Sequence, residues 1–163
     1  MPSAIRSLWA SLALGALATV TRPAPVHAQF LETKVISLEA AKKIAAAGEA
    51  EALKRNWTVA IAVVDVSGGL IVFHRIDDVQ TGSLDIAIAK ARTAARFKRP
   101  TRALADAVTK QGNTGIIAIQ GVVPLAGGLP ISVDGKVVGA VGVSGMTADQ
   151  DEIVAQAALE ALH

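Results

Sequence analysis

The sequence predicts an α+β fold in which helices pack on a mostly antiparallel sheet of about five strands. Three observations carry that prediction. Two strand-like runs flank Gly68-Gly69, another pair flanks Asp134-Gly135, and segments apolar at steps of three and four stand before, between and after them. Short glycine turns join antiparallel strands, because parallel neighbours need a long crossover.

Taken in order, Leu38, Ala41, Ala45, Gly48 and Ala52 share one helical face, with Ser37 placed to cap and Glu39 in the first turn. A helix is expected over 38–55. Its buried stripe is small, so it should lie close to its neighbour, and Asn56 ends it. Residues 58–66 are β-branched and apolar on both faces, and 70–77 complete a hairpin across Ser67-Gly68-Gly69. The pattern turns helical over 83–97, with Asp85 in the first turn and Pro100 as the stop; Thr101 then caps a shorter helix to about residue 109. A buried strand is expected over 115–123, bent at Gly121, and a loop over 124–130. Asp134-Gly135 joins strands 131–133 and 136–143, since this dipeptide suits a turn with positive φ at both positions. Thr147 and Gln150 form a capping-box pattern ahead of a helix with Val154, Ala157, Ala158 and Ala161 on its core face.

Composition bounds the chemistry. A chain of 163 residues holds one domain, plus at most a tail. Without cysteine it has no disulfide, no thiolate metal site and no cysteine nucleophile. Arg6, the apolar run from Leu8 to Val20, and Val26 and Ala28 at the small-residue positions describe a secretory leader over 1–28, cut before Gln29. The alternative is an uncleaved anchor, although the run is short for a span of about 20 residues. After cleavage, domain 29–163 would have no stable membrane span. The leader takes Arg6 and Arg22 with it, leaving 14 positive and 14 negative residues, so global basicity does not argue for a nucleic-acid partner.

Several residues can carry function. The strand period puts Leu70, Val72, His74 and Ile76 on one face and Ile71, Phe73, Arg75 and Asp77 on the other. Arg75 and Asp77 thus form either a polar pair at a pocket edge or an ion pair at a sheet end; an arginine fork suits a ligand carboxylate. His74 is either a core or interface histidine or an axial ligand to haem iron. Ile86, Lys90, Thr93 and Phe97 share one face of the central helix, so Lys90 either snorkels or faces a cleft as a fixed cation. Six positive residues and no acid lie between Lys90 and Arg102, Arg99 among them. Gly127-Gly128, Gly139, Gly142 and Gly145 permit close approach of backbone to a ligand or to another subunit. No phosphate-loop or dinucleotide spacing is present, and Ser144 lacks a nucleophile-elbow context.

Val63-Val64-Asp65 with Gly68 and Gly69, Arg75 with Asp77, Lys90-Ala91-Arg92-Thr93-Ala94 through Phe97 and Pro100-Thr101 make an ordered series. Gly127-Gly128-Leu129-Pro130-Ile131, Asp134-Gly135, residues 139–145 and Asp151-Glu152 complete it. The series resembles the GlcG/HbpS-like haem-binding family, which includes the PduO C-terminal domain, over residues 35–162. The resemblance implies a profilin-like antiparallel sheet flanked by helices, homo-oligomers, and haem or a similar tetrapyrrole as ligand, in storage, degradation or redox sensing. His74 and Thr114 are then candidate iron ligands. Arg75, Lys90 and Arg99 are candidate propionate partners, and Phe73, Phe97 and Leu129 candidate walls. The alternative is an enzyme or accessory factor acting without haem on a small organic acid, through Asp65, Arg75, Asp77 and Lys90.

Overall fold

Residues 33–162 are described here from a computed structural model; the leader assigned to residues 1–28 and the terminal His163 lie outside them. The order is α1 (Leu38–Lys54), β1 (Ala60–Asp65), β2 (Leu70–Arg75), α2 (Thr81–Phe97), α3 (Thr101–Thr109), β3 (Gly128–Val133), β4 (Lys136–Ser144) and α4 (Ala148–Glu160). The strands form one antiparallel sheet in the order β2-β1-β4-β3. The α+β prediction holds, with four strands in place of about five. Residues 115–123 are not a strand: Thr114–Ala118 is a 3₁₀ helix, and an irregular surface segment follows. Gly115 and Gly121 interrupt its apolar run, and β3 takes the place beside β4 instead. Strand β3 starts at Gly128, inside the segment expected to be loop, and pairs Gly128 with Gly142.

Strand β1 is buried on both faces, as its unbroken apolar run requires. Ile61 and Val63 face α1 and α4, in a core with Ile44, Val141, Val143 and Val154. Ala60, Ala62 and Val64 face α2, in a second core built largely of alanine. Small side chains let that helix lie directly on the sheet. A Cβ added at Gly142 would stand 2.2 Å from the Ala87 carbonyl oxygen and 2.5 Å from the Ala91 nitrogen, and one at Gly128 would stand 2.6 Å from the Lys90 carbonyl oxygen. The strand glycines thus admit the chain's own helix.

Local signals mostly act as read. Ser37 accepts from the Ala40 N–H, Thr147 and Gln150 make the reciprocal capping box, and Asp134 and Gly135 have φ of 51° and 72°. Thr101 acts differently: Pro100 stands at the N-cap, and the Thr101 hydroxyl accepts from Gly128 N–H at 2.9 Å and donates back to its carbonyl at 3.3 Å. That exchange ties α3 to β3. A bulge shifts the β1–β2 register between Val63 and Val64. The extra residue, Ile71, therefore packs with Val72 on the α1 side instead of sharing the face of Phe73.

The β1–β2 turn is closed by Asp65, whose Oδ1 accepts from Ser67 N–H at 2.8 Å, Ser67 Oγ at 2.6 Å and Gly69 N–H at 2.9 Å. These donors, the Ser67 hydroxyl foremost, hold its carboxyl below the usual range.

The contact at Gly142 has a direct test. Gly142→Ala should destabilise the domain by about 2–3 kcal/mol, because helix backbone cannot yield to a methyl group. Gly82→Ala, with nothing within 4 Å of the added carbon, should be neutral or stabilising by about 0.5 kcal/mol. Denaturant unfolding of both variants checks this, and equal effects would contradict the close-contact account.

Candidate functional site

Where α2 crosses the C-terminal end of β4, a cleft of about 300 Å³ opens between α2, the first turn of α4 and the segment around Leu125. Lys90 and Asp151 form its floor, with side chains 2% and 3% exposed. Lys90 Nζ donates to Asp151 Oδ2 at 2.7 Å and to the Val143 carbonyl at 2.9 Å, while Asp151 Oδ1 accepts from the Met146 N–H at 3.0 Å. Burial pushes the lysine pKa down and the carboxyl pKa up, and each partner opposes the shift of the other. Lys90 does face a cleft, but as half of a neutral pair instead of a bare cation. Ser83 and Ser144, 8% and 5% exposed, also line the cleft, with Gln80 at its edge donating to the Gly145 carbonyl at 3.4 Å.

The cationic run from Lys90 to Arg102 is largely consumed by the fold. Arg92 and Arg96 donate to the carbonyls of Gly68 and Ser67 at 3.0 and 3.2 Å, fastening the β1–β2 turn to α2. Arg102 binds Glu152 and, at 2.6 Å, Asp149, joining α3 to α4. Lys98 and Arg99 have no acidic partner among the described residues. Gly127 and Gly128 are buried against Lys90, Thr101 and Asp151, so their openness serves packing.

The remaining candidates fall into separate places. Arg75 pairs with Ala60 in the sheet, and Ala60 with Ser144, so Arg75 and Asp77 lie near the start of α2. Phe97 and Arg99 lie at its other end, about 25 Å away along a 17-residue helix. Asp65, at the opposite end of β1 from Arg75, is occupied in its turn. The structure thus does not gather Asp65, Arg75, Asp77 and Lys90 into one polar site. Phe73 packs in the core beneath α2. Thr114 is exposed at the start of the 3₁₀ helix, followed by the exposed Ile117 and Ile119.

His74 faces the other side of the sheet, and a partner the sequence reading missed fixes it there. Its Nδ1 meets the carboxylate of Glu49 on α1. A carboxylate only accepts, so it selects the tautomer with the proton on Nδ1, and in the neutral form of that ring the free lone pair is on Nε2. That is the tautomer and orientation that carboxylate–histidine pairs give to metal ligands. Among the described residues no group of three or more His, Asp or Glu could hold a metal ion by itself, and no helix is long and apolar enough to cross a membrane.

Fold, glycine-seated helix and anchored histidine define a small α+β domain with helices on both faces of one antiparallel sheet. The chain belongs to the HbpS-like family: the model of the family described as haem degrading protein HbpS-like matches residues 36–160. It is 44% identical over 115 residues to protein GlcG of Escherichia coli K12, covering 70% of this chain and 85% of that protein. A crystallised double mutant of HbpS from Streptomyces reticuli superposes with a TM-score of 0.78 at 35% identity, over 91% of this chain and 99% of that one. PduOC, crystallised as a haem complex, superposes with a TM-score of 0.73 at 30% identity, over 78% of this chain and 94% of that one.

The Lys90–Asp151 pair sets a further expectation. Asp151→Ala should cost about 3–5 kcal/mol, because it strands a buried ammonium, whereas the double variant Lys90→Met/Asp151→Leu should recover most of that loss. Equilibrium unfolding of both variants distinguishes a buried pair from a solvated one, for which the single change would cost under about 1 kcal/mol.

Proposed function

We propose that the chain is an exported haem-binding protein in which His74 presents Nε2 to the iron. The observation that carries this reading is the haem complex of PduOC, a relative of the same fold and 30% identity. The donor set fits: an imidazole on an edge strand, its other nitrogen held by Glu49, side chain 31% exposed. Bound haem supplies redox chemistry at iron; the protein's part is to ligate, orient and shield it.

His74 lines none of the clefts formed at Lys90, Ile36 or Leu159. A second copy of the chain closing over β2 would complete the site and form a homo-oligomer. Arg75, exposed on the same edge strand, is the nearest cation along the chain but leaves the opposite face from His74, so it meets a propionate only where one reaches round the free edge; a charge-assisted hydrogen bond there is worth about 1.5–3 kcal/mol. Arg99 and Phe97 reach the same haem only if a partner subunit supplies them. The leader over residues 1–28 supports export. Exported protein should begin at Gln29; intact Met1 in material confined to the cytoplasm would contradict this.

Titration of the full chain with hemin should give a saturable Soret shift. His74→Ala should abolish the ligated spectrum, and Glu49→Gln should weaken binding by about tenfold or more. Thr114→Val should leave both spectrum and affinity intact. Loss of the spectrum in Thr114→Val with retention in His74→Ala would move the ligand to the hydroxyl, and absence of saturation in the parent would overturn the haem reading.

A further inference from the structure

The cleft above Lys90 and Asp151 is separate from the proposed haem position, which lies on the α1 side of β2, and it carries its own chemistry. We propose that it is a binding site for a small, neutral, polyhydroxylated molecule. Three observations converge on that class. First, the only charged groups lining the cleft are Lys90 and Asp151, which neutralise each other. An anion would have to compete with Asp151 for the ammonium, and a cation with Lys90 for the carboxylate; either would leave a net charge in a desolvated floor. Second, Ser83 and Ser144 line the cleft, both residues more than nine-tenths buried, and their hydroxyls make no hydrogen bond to the described residues and are left reachable from the cleft's solvent. A hydroxyl both donates and accepts, so two of them facing one cleft suit a ligand that does the same. The Lys90 ammonium adds a third N–H beyond the two acceptors it already has. Third, Ile86, Leu125 and Met146 add apolar surface to the lining, which suits the carbon skeleton of a short polyol.

Size agrees with this. About 300 Å³ holds the equivalent of roughly ten waters. A three- or four-carbon polyol fits with solvent to spare; a tetrapyrrole does not.

Glycerol and erythritol are the probes, with glycerate as the charged analogue. In titrations of the isotope-labelled full chain followed by amide NMR, both polyols should give saturable shifts at Ser83, Ser144, Gly145 and Met146. Glycerate should bind at least about tenfold more weakly. Ser144→Ala and Ser83→Ala should each weaken polyol binding by about tenfold, one hydrogen bond's worth, while the rest of the spectrum stays that of the folded parent. Hemin binding should be unchanged in both variants. Shifts that rise linearly without saturation, tighter binding of glycerate, or unchanged polyol affinity in both serine variants would each overturn the proposal. A loss of hemin binding in those variants would overturn the separation of the two sites.

Discussion

Helix α2 rests on β3 and β4 with no side chain between them at Gly128 and Gly142, and the other features of the domain follow from that approach. It lowers Lys90 until its ammonium meets Asp151 across the end of the sheet. It places Arg92 and Arg96 over the β1–β2 turn, where they hold two carbonyls. It also sets the Thr101 hydroxyl against Gly128, fixing α3. A helix standing one methyl layer higher would forfeit all three. Burying an ion pair brings little net stability, since desolvation offsets attraction. Here the Val143 carbonyl and the Met146 N–H add hydrogen bonds to it, and the pair fixes how α2 and α4 meet.

The domain therefore separates two kinds of surface. The edge strand β2 carries an anchored histidine with little around it, a geometry that, on the proposed reading, a second subunit would complete. The cleft at the end of β4 is open to solvent on one side, with a neutral floor and two serines in its lining. Most of the positive charge between Lys90 and Arg102 is structural, so electrostatic attraction of an anionic ligand falls mainly to Lys98, Arg99 and Arg75.

Much of this was legible in the residues. The glycine and Asp-Gly turns, the Ser37 cap and the capping box are local devices whose geometry needs no tertiary contact, and each acts as its spacing implies. The ordered series of motifs identified the family because it samples every element but α1. What escaped was long-range. Residues 115–123 read as strand because three isoleucines and two valines have the composition of one, yet a strand needs a neighbour, and β3 occupies that place. The Ile71 bulge depends on the partner strand. Glu49 gave no signal, lying beside a stripe of small residues far in sequence from His74. Asp151 did leave a trace: it shares the buried face of α4 with Val154, Ala155 and Ala158, as Lys90 shares that of α2. An acid in one core stripe and a lysine in another are best read as one pair.

Crystallising the full chain with bound hemin tests the division of the molecule into two sites most directly. The iron should lie within bonding distance of His74 Nε2, with Glu49 still on Nδ1 and the Lys90–Asp151 pair intact beneath a cleft free of porphyrin. A macrocycle seated over that cleft, with Lys90 turned from Asp151 to a propionate, or iron ligated by Thr114, would contradict it.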